Sequence, residues 1–376
     1  MNFNRLNILL GWAAGVLATV VYTLTLEPTM PFWDSGEFIS SVHKLEVGHP
    51  PGAPLFMIIG RVFSAFVDPP MVPVMINFLS ALCSGLTIVF LFWSITHMAL
   101  KFFSADRNSL TSGQTWAILG SGLIGAIGYT FSDTFWFSAV EAEVYAMSSL
   151  FTAIVFWAIL KWEAVVDEGG ELRWIVLIAY LMGLSIGVHL LNLLAIPAIC
   201  LVYYFKKFEF SFKGLIATAA ISLLILFLIN DGIIIRFVSL AGSYERTFVN
   251  NLGLPFNSGV IFYMSSFAVL IAFAIWQSQY RDSRNSQRVA IILITILLIM
   301  PQIIEILTSS SNRSFSWSNI AKTWAVISIL ITGIFWLQRN NRIIWNTFLL
   351  AFSMAILGYT TFATVIIRSN ANPPMD

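Results

Sequence analysis

The chain is built from apolar runs, most of 15 to 29 residues, separated by short polar stretches. Only about 20 apolar residues are needed to carry a helix across the hydrocarbon layer, where a closed internal hydrogen-bond ladder is the one way to satisfy the backbone. Eleven such spans can be drawn, approximately over 6–26, 72–100, 114–131, 139–162, 174–188, 190–205, 214–229, 259–277, 289–307, 321–337 and 343–366. The expectation is an all-α integral membrane protein forming a single transmembrane domain over 1–376. Charged residues make up 10% of the chain, against about 25% in soluble domains, and this excludes a water-soluble fold. The first run is too long for a signal-peptide core and no small-residue cleavage site follows it, so it reads as a retained helix. The apolar stretch 53–66 is too short for a crossing and reads as an interfacial or re-entrant helix.

A net charge of +1, with no Lys/Arg run longer than Lys206-Lys207, sets nucleic-acid binding aside. Cys83 and Cys200 lie inside apolar runs and behave as small hydrophobes. With the N-terminus inside, thirteen of the twenty Lys and Arg residues fall on the inner side, which places the C-terminus outside. This orientation requires 174–205 to be a hairpin turning near Gly187-Val188-His189. It gathers the unusual polar residues on the outer face: the first outer loop 27–71, the turn before Glu141 and Glu143, the hairpin turn with His189 and Asn192, and a later outer loop over 230–258.

Within Trp33-Asp34-Ser35-Gly36-Glu37-Phe38, Asp34 and Glu37 are three apart. They could form a helix capping box, or Asp34 could serve as a general base for a hydroxyl; the spacing does not choose. Ser138 and Glu141 also fit the capping pattern. Glu143 points elsewhere, and a charge at that depth faces a partner or a water-filled cavity. His43 and His49 are two ligands where a metal needs three or four, so no metal is assigned and a divalent ion is left open. His189 and Asn192 read either as interhelical glue or as site residues. The glycines at 113, 120, 122, 125 and 128 suit close helix packing.

The strings PTMPFWDSGEFI, HPPGAPLF, FWFSAVEAEVYA, GVHLLNLLAIPA and NANPP, in that order from residue 28 to 374, resemble a bacterial family of polytopic membrane proteins long catalogued as of unknown function. The vertebrate transmembrane O-mannosyltransferase is similar to that family. The resemblance implies a GT-C glycosyltransferase bundle of the bacterial inner membrane. Its active site would face the periplasm, with a polyprenyl-phosphate sugar as donor and the catalytic acid in the first outer loop. Asp34 takes that place, Glu37 matches the second acid, and Glu141, Glu143, His49, His189 and Asn192 match positions in the other strings. The resemblance implies a further external segment after NANPP in relatives, which is expected to be absent from this chain, ending at Asp376.

The expected reaction moves a hexose, mannose foremost, to Ser or Thr of an exported protein. Asp34 acts as base, and outer cations offset the charge on the leaving phosphate: Arg236 and Arg246 first, then Arg61 and Lys44. Two other classes share the composition: a transporter or flippase of polyprenyl-linked sugar, and a non-catalytic subunit of an envelope complex. A flippase is expected to show internal repeats and helices broken at the midplane, and neither is visible.

Overall fold

A computed structural model describes residues 2–103, 110–169, 171–280, 284–308 and 342–369. Every regular element among them is helical, and seven helices are long and apolar enough to cross a membrane. The protein is an all-α membrane protein. Expected span 321–337 lies outside the described residues.

Contacts divide the chain into two units, one of residues 1–222 with 354–376, the other of residues 223–353. In the first unit, α1 (Phe3–Leu24) packs along α4 (Val72–Phe102). Small residues make this approach close: a Cβ on Gly15 would collide with Val89 and with the Gly85 carbonyl. The same device brings α5 (Ser112–Thr130) onto α4, where Gly122 meets Phe92 and Thr96, and Gly125 meets Ile95; Gly113, Gly120 and Gly128 face open space. Helix α7 (Val144–Val165) packs on the other flank of α4.

The hairpin expected over 174–205 is present. Helix α8 (Glu171–Ile186) starts beside the C-terminal half of α7, with Trp174 against Trp157. Helix α9 (Ala195–Lys207) returns to the same end, with Tyr203 stacked on Trp162, while His189 at the turn lies against Tyr145 at the start of α7. Asn192 is the glue: fully buried, it donates through Nδ2 to Ser185 Oγ at 2.7 Å.

Between α1 and α4 lie two short helices, α2 (Ser35–Lys44) and α3 (Pro54–Ser64). The second is the short non-spanning apolar helix expected over 53–66. Phe38, Ile39 and Val42 of α2, Phe56 and Met57 of α3, Ile76 and Leu79 of α4, and Ala142, Val144 and Val188 form one buried core beneath them.

The second unit departs from expectation in one respect. Residues read as a loop over 230–258 are helical as far as Asn250, within a run that begins at Phe212 and passes through a π-type stretch, Leu228–Phe237. Asp231 Oδ2 accepts from Arg236 Nε at 2.5 Å along this run, and the Glu245 carboxylate accepts from the amides of Asn257, Gly259 and Val260 beyond it, so a few charges did not force the backbone out of helix.

Candidate active site

The segment that leaves α1 is fastened before it reaches α2. Asn77, a fully buried amide in α4, donates to the carbonyls of Glu27 (2.6 Å) and Thr29 (3.2 Å), and the Glu27 amide donates to Val140 O. Phe32 and Trp33 then project into the surroundings at 90% and 88% exposure. Trp33 has a left-handed backbone, φ 68°, a conformation that a bulky residue keeps only when its surroundings impose it. It hands the chain directly to Asp34.

Asp34 occupies the cap position of α2, yet its carboxylate makes no cap hydrogen bond. Glu37 does not reach back to the cap either. Its Oε1 accepts from the His49 amide at 2.5 Å and its Oε2 meets His49 Nδ1 at 3.1 Å. The capping box that the spacing allowed is therefore absent, and the Glu37 carboxylate instead spans twelve residues to pin the loop carrying His49. The imidazole rests on buried Phe38, ring centres 5.6 Å apart. Gly48 lies close to this pair, and a Cβ there would press on the end of Met57 and on Glu37 Oε1. One ligand atom each from Asp34, Glu37 and His49 lies within 4.8 Å of the others, a donor set and spacing that suit a divalent cation. An ion taking Glu37 and His49 Nδ1 would have to displace the bond between them.

A second layer of carboxylates lies deeper. Ser138 does not cap Glu141. It sits inside helix α6 (Asp133–Ala139), with its Oγ on Thr134 O, and α7 begins only at Val144. Residues 140–143 are a non-helical link, with Glu143 in extended backbone. Both carboxyls are buried, Glu143 to 6% exposure, and Glu143 Oε1 lies 3.5 Å from Ser35 Oγ. Burial first, then the charges of Asp34 and Glu141, push the Glu143 carboxyl up to about 7. Burial and the charge of Glu27 raise Glu141 as well. Glu27 thus acts on Glu141, and Asp34 and Glu141 act on Glu143, in one acidic region.

The hairpin turn joins this region. The Leu55 amide at the start of α3 donates to Gly187 O at 2.7 Å, and His189 Nδ1 accepts from the Leu191 amide, which leaves Nε2 to carry the proton of the neutral ring. Burial lowers the His189 pKa and favours that neutral form.

Three of the four segments expected to converge therefore meet within the first unit. Asn192 is present but committed to Ser185. Arg61 is equally committed: its Nη1 donates to the His43 carbonyl in the last turn of α2, while Arg368 Nε donates to Leu45 O, so two guanidiniums hold the C-terminal end of α2. Lys44 is exposed and lies near Glu46. Arg236 and Arg246 belong to the second unit, where Arg236 pairs with Asp231 and Arg246 Nη2 reaches Ser243 Oγ at 3.3 Å. Residues not singled out from sequence are Ser35, Tyr145 and Asn77. The last carried a readable signal, an amide within an apolar span.

Residues 34–211 match the family model described as the N-terminal domain of the protein O-mannosyl-transferase TMEM260. Over 142 residues the chain is 28% identical to the protein O-mannosyl-transferase tmem260 of Dictyostelium discoideum, covering 37% of this chain and 15% of that protein. Over 153 residues it is 28% identical to TMEM260 of Mus musculus, covering 40% of this chain and 19% of the mouse protein. The chain is related to these proteins, and the similarity spans less than a fifth of their length. The matched segment holds Asp34, Glu37, His49, Glu141, Glu143, His189 and Asn192. No solved structure matches.

Proposed function

We propose that this chain is a membrane glycosyltransferase of the GT-C type that transfers a hexose, mannose foremost, from a polyprenyl-phosphate donor to Ser or Thr hydroxyls of exported proteins. The names of its relatives support protein O-mannosyl transfer as the class of reaction. The donor lipid, the inverting course and a periplasmic site in a bacterial inner membrane are our extension of that reading.

The observation that carries the mechanism is the state of Asp34. A carboxylate at a helix N-terminus normally accepts from the first-turn amides, and this one does not. It stays exposed beside His49, at the mouth of a buried acidic layer. There it can accept the proton of an incoming hydroxyl as that oxygen attacks the anomeric carbon and the carbon–oxygen bond to the lipid phosphate breaks. The displacement inverts the anomeric centre, and the electron pair leaves with the phosphate. Glu37 is a positioning residue in this scheme, because both of its oxygens are used to set the His49 loop. Glu143, protonated part of the time at neutral pH, can donate a hydrogen bond to a sugar hydroxyl. The exposed Trp33 and Phe32 rings, at the tip of the same loop, offer an apolar platform to the acceptor or the lipid.

Single-turnover transfer from a radiolabelled polyprenyl-phosphate mannose to an acceptor peptide tests this reading on purified Asp34→Asn. Asn caps a helix about as well as Asp, so a structural role predicts near-normal transfer. A base role predicts a loss of roughly 10²–10⁴-fold with thermal stability and donor binding unchanged. A stable Asp34→Asn protein that still transfers at the wild-type rate refutes the mechanism.

A further inference from the structure

At the end of the first unit opposite the carboxylates, a cavity of about 470 Å³ opens between the first turns of α1 and the last turns of α4 and α7. Its size is that of a small-molecule site. Aromatic rings form one wall, Trp93 and Trp157 with centres 6.1 Å apart, and Trp93 Nε1 donates to Asn7 O at 3.2 Å, closing the wall onto α1. Lys161 lines the same cavity, its Nζ held 5.2 Å above the Trp157 ring. Asn7 Oδ1 is buried there and meets no hydrogen-bond donor among the described residues. Ile8 lines the mouth at 52% exposure and begins an exposed apolar flank that continues through Leu9, Trp12 and Val16.

These features ask for three things in one ligand. A lysine at the end of a membrane helix attracts an anionic group. A buried amide oxygen asks for a hydroxyl or N–H donor, because leaving it unpaired forfeits the hydrogen bond it had to water. The apolar flank at the mouth, on a helix that spans the membrane, asks for hydrocarbon. A tryptophan wall is what membrane proteins place at headgroup depth.

We infer that this cavity binds the headgroup of an anionic phospholipid, with the phosphate at Lys161, a headgroup hydroxyl on Asn7 Oδ1 and the acyl chains along the Ile8–Val16 flank. The site lies at the far end of the unit from Asp34 and does not depend on the transferase reading. A soluble phosphate has the charge but not the hydrocarbon, and so is the alternative that the test must separate.

The test uses the full chain, delipidated in detergent. Native mass spectrometry and thermal unfolding are followed as phosphatidylglycerol, phosphatidylcholine of the same acyl chains, or soluble glycerol 3-phosphate is added. One cation near a headgroup contributes about 1 kcal/mol, so wild type should hold phosphatidylglycerol about fivefold more tightly than phosphatidylcholine, and glycerol phosphate should not stabilise it. Lys161→Gln should bring the two lipids within twofold of each other, and Lys161→Arg should keep the preference. Should the glutamine variant fail to fold, the wild-type and Lys161→Arg comparisons decide alone. Equal binding of the two lipids by wild type, an undiminished preference in folded Lys161→Gln, or equal stabilisation by glycerol phosphate overturns the proposal.

Discussion

Replacing Glu143 with Gln should change how stability depends on pH, and the sign follows from its surroundings. The buried Glu143 carboxyl is raised from 4.5 to about 7, by burial first and by Asp34 and Glu141 after it. A raised carboxyl means that the folded state holds its proton more tightly than the unfolded state. Below pH of about 4.5 both states are protonated and the contribution is fully present. Between about 4.5 and 7 the unfolded chain sheds its proton while the fold retains it, so stability falls as pH rises; above about 7 both are ionised and the loss is complete. At about 1.4 kcal/mol per tenfold change in proton affinity, the loss is about 3 kcal/mol. Gln cannot ionise. Glu143→Gln should therefore match wild type near pH 5 and exceed its stability by up to about 3 kcal/mol at pH 8. Thermal unfolding from pH 5 to 9, read by intrinsic tryptophan fluorescence, gives the difference directly. A gap between the two proteins that stays constant across that range, or a glutamine variant less stable at pH 8, refutes the assignment of Glu143 as the charge under strain.

Two further outcomes follow from how side chains are engaged. Arg61→Gln removes a charge-assisted bond to the half-buried His43 carbonyl, so it should lower stability by about 1–3 kcal/mol while donor binding, measured by lipid competition, stays near wild type; intact stability with lost donor binding would return Arg61 to the leaving-group role expected from sequence. Because both Glu37 oxygens are engaged by His49, transfer in the presence of EDTA should stay within about twofold of the untreated rate. A tenfold loss restored by one divalent ion would instead make Asp34, Glu37 and His49 a cation site.

The elements were legible because apolar length is a local property. The hairpin over 174–205 followed from keeping Arg173 and Lys206 at one end, and the structure brings both helix ends to the same part of α7. Local rules failed where a residue's partner is remote. Asp34 and Glu37 have capping-box spacing, and nothing within four residues shows that Glu37 is drawn to His49 twelve residues on. Ser138 and Glu141 have the same spacing and also form no box, since the chain leaves helix at Val140, whose carbonyl takes the Glu27 amide from the segment after α1. Arg61 was expected as a phosphate partner from its charge, and its bond to the His43 carbonyl, eighteen residues back, leaves no local sign in the sequence. The 230–258 stretch looked like a loop because Asp231 and Arg236 were counted as separate charges, whereas five residues apart on a π-type stretch they neutralise each other.

These remote partnerships share one cause, which also separates the residues of the candidate site from its scaffold. Polar groups in an apolar chain are costly unless partnered, so each can be classified by whether its partner holds the fold or leaves it exposed to chemistry. Asn77 and Asn192 spend their amides on carbonyls or hydroxyls of the neighbouring segments, and Arg61 and Arg368 spend theirs on the end of α2. Asn77, Arg61 and Arg368 fix where the first loop lies, and Asn192 holds the hairpin turn. Asp34 makes no such commitment to its own helix, and Glu143 is buried among like charges, with the Val144 amide and the Ser35 hydroxyl at 3.5 Å as its hydrogen-bond partners. Three polar side chains hold that loop in place, while Asp34 on it makes no cap bond and Glu143 beneath it is crowded by like charges, and this contrast is what supports the proposal that these two carboxyls meet a bound substrate.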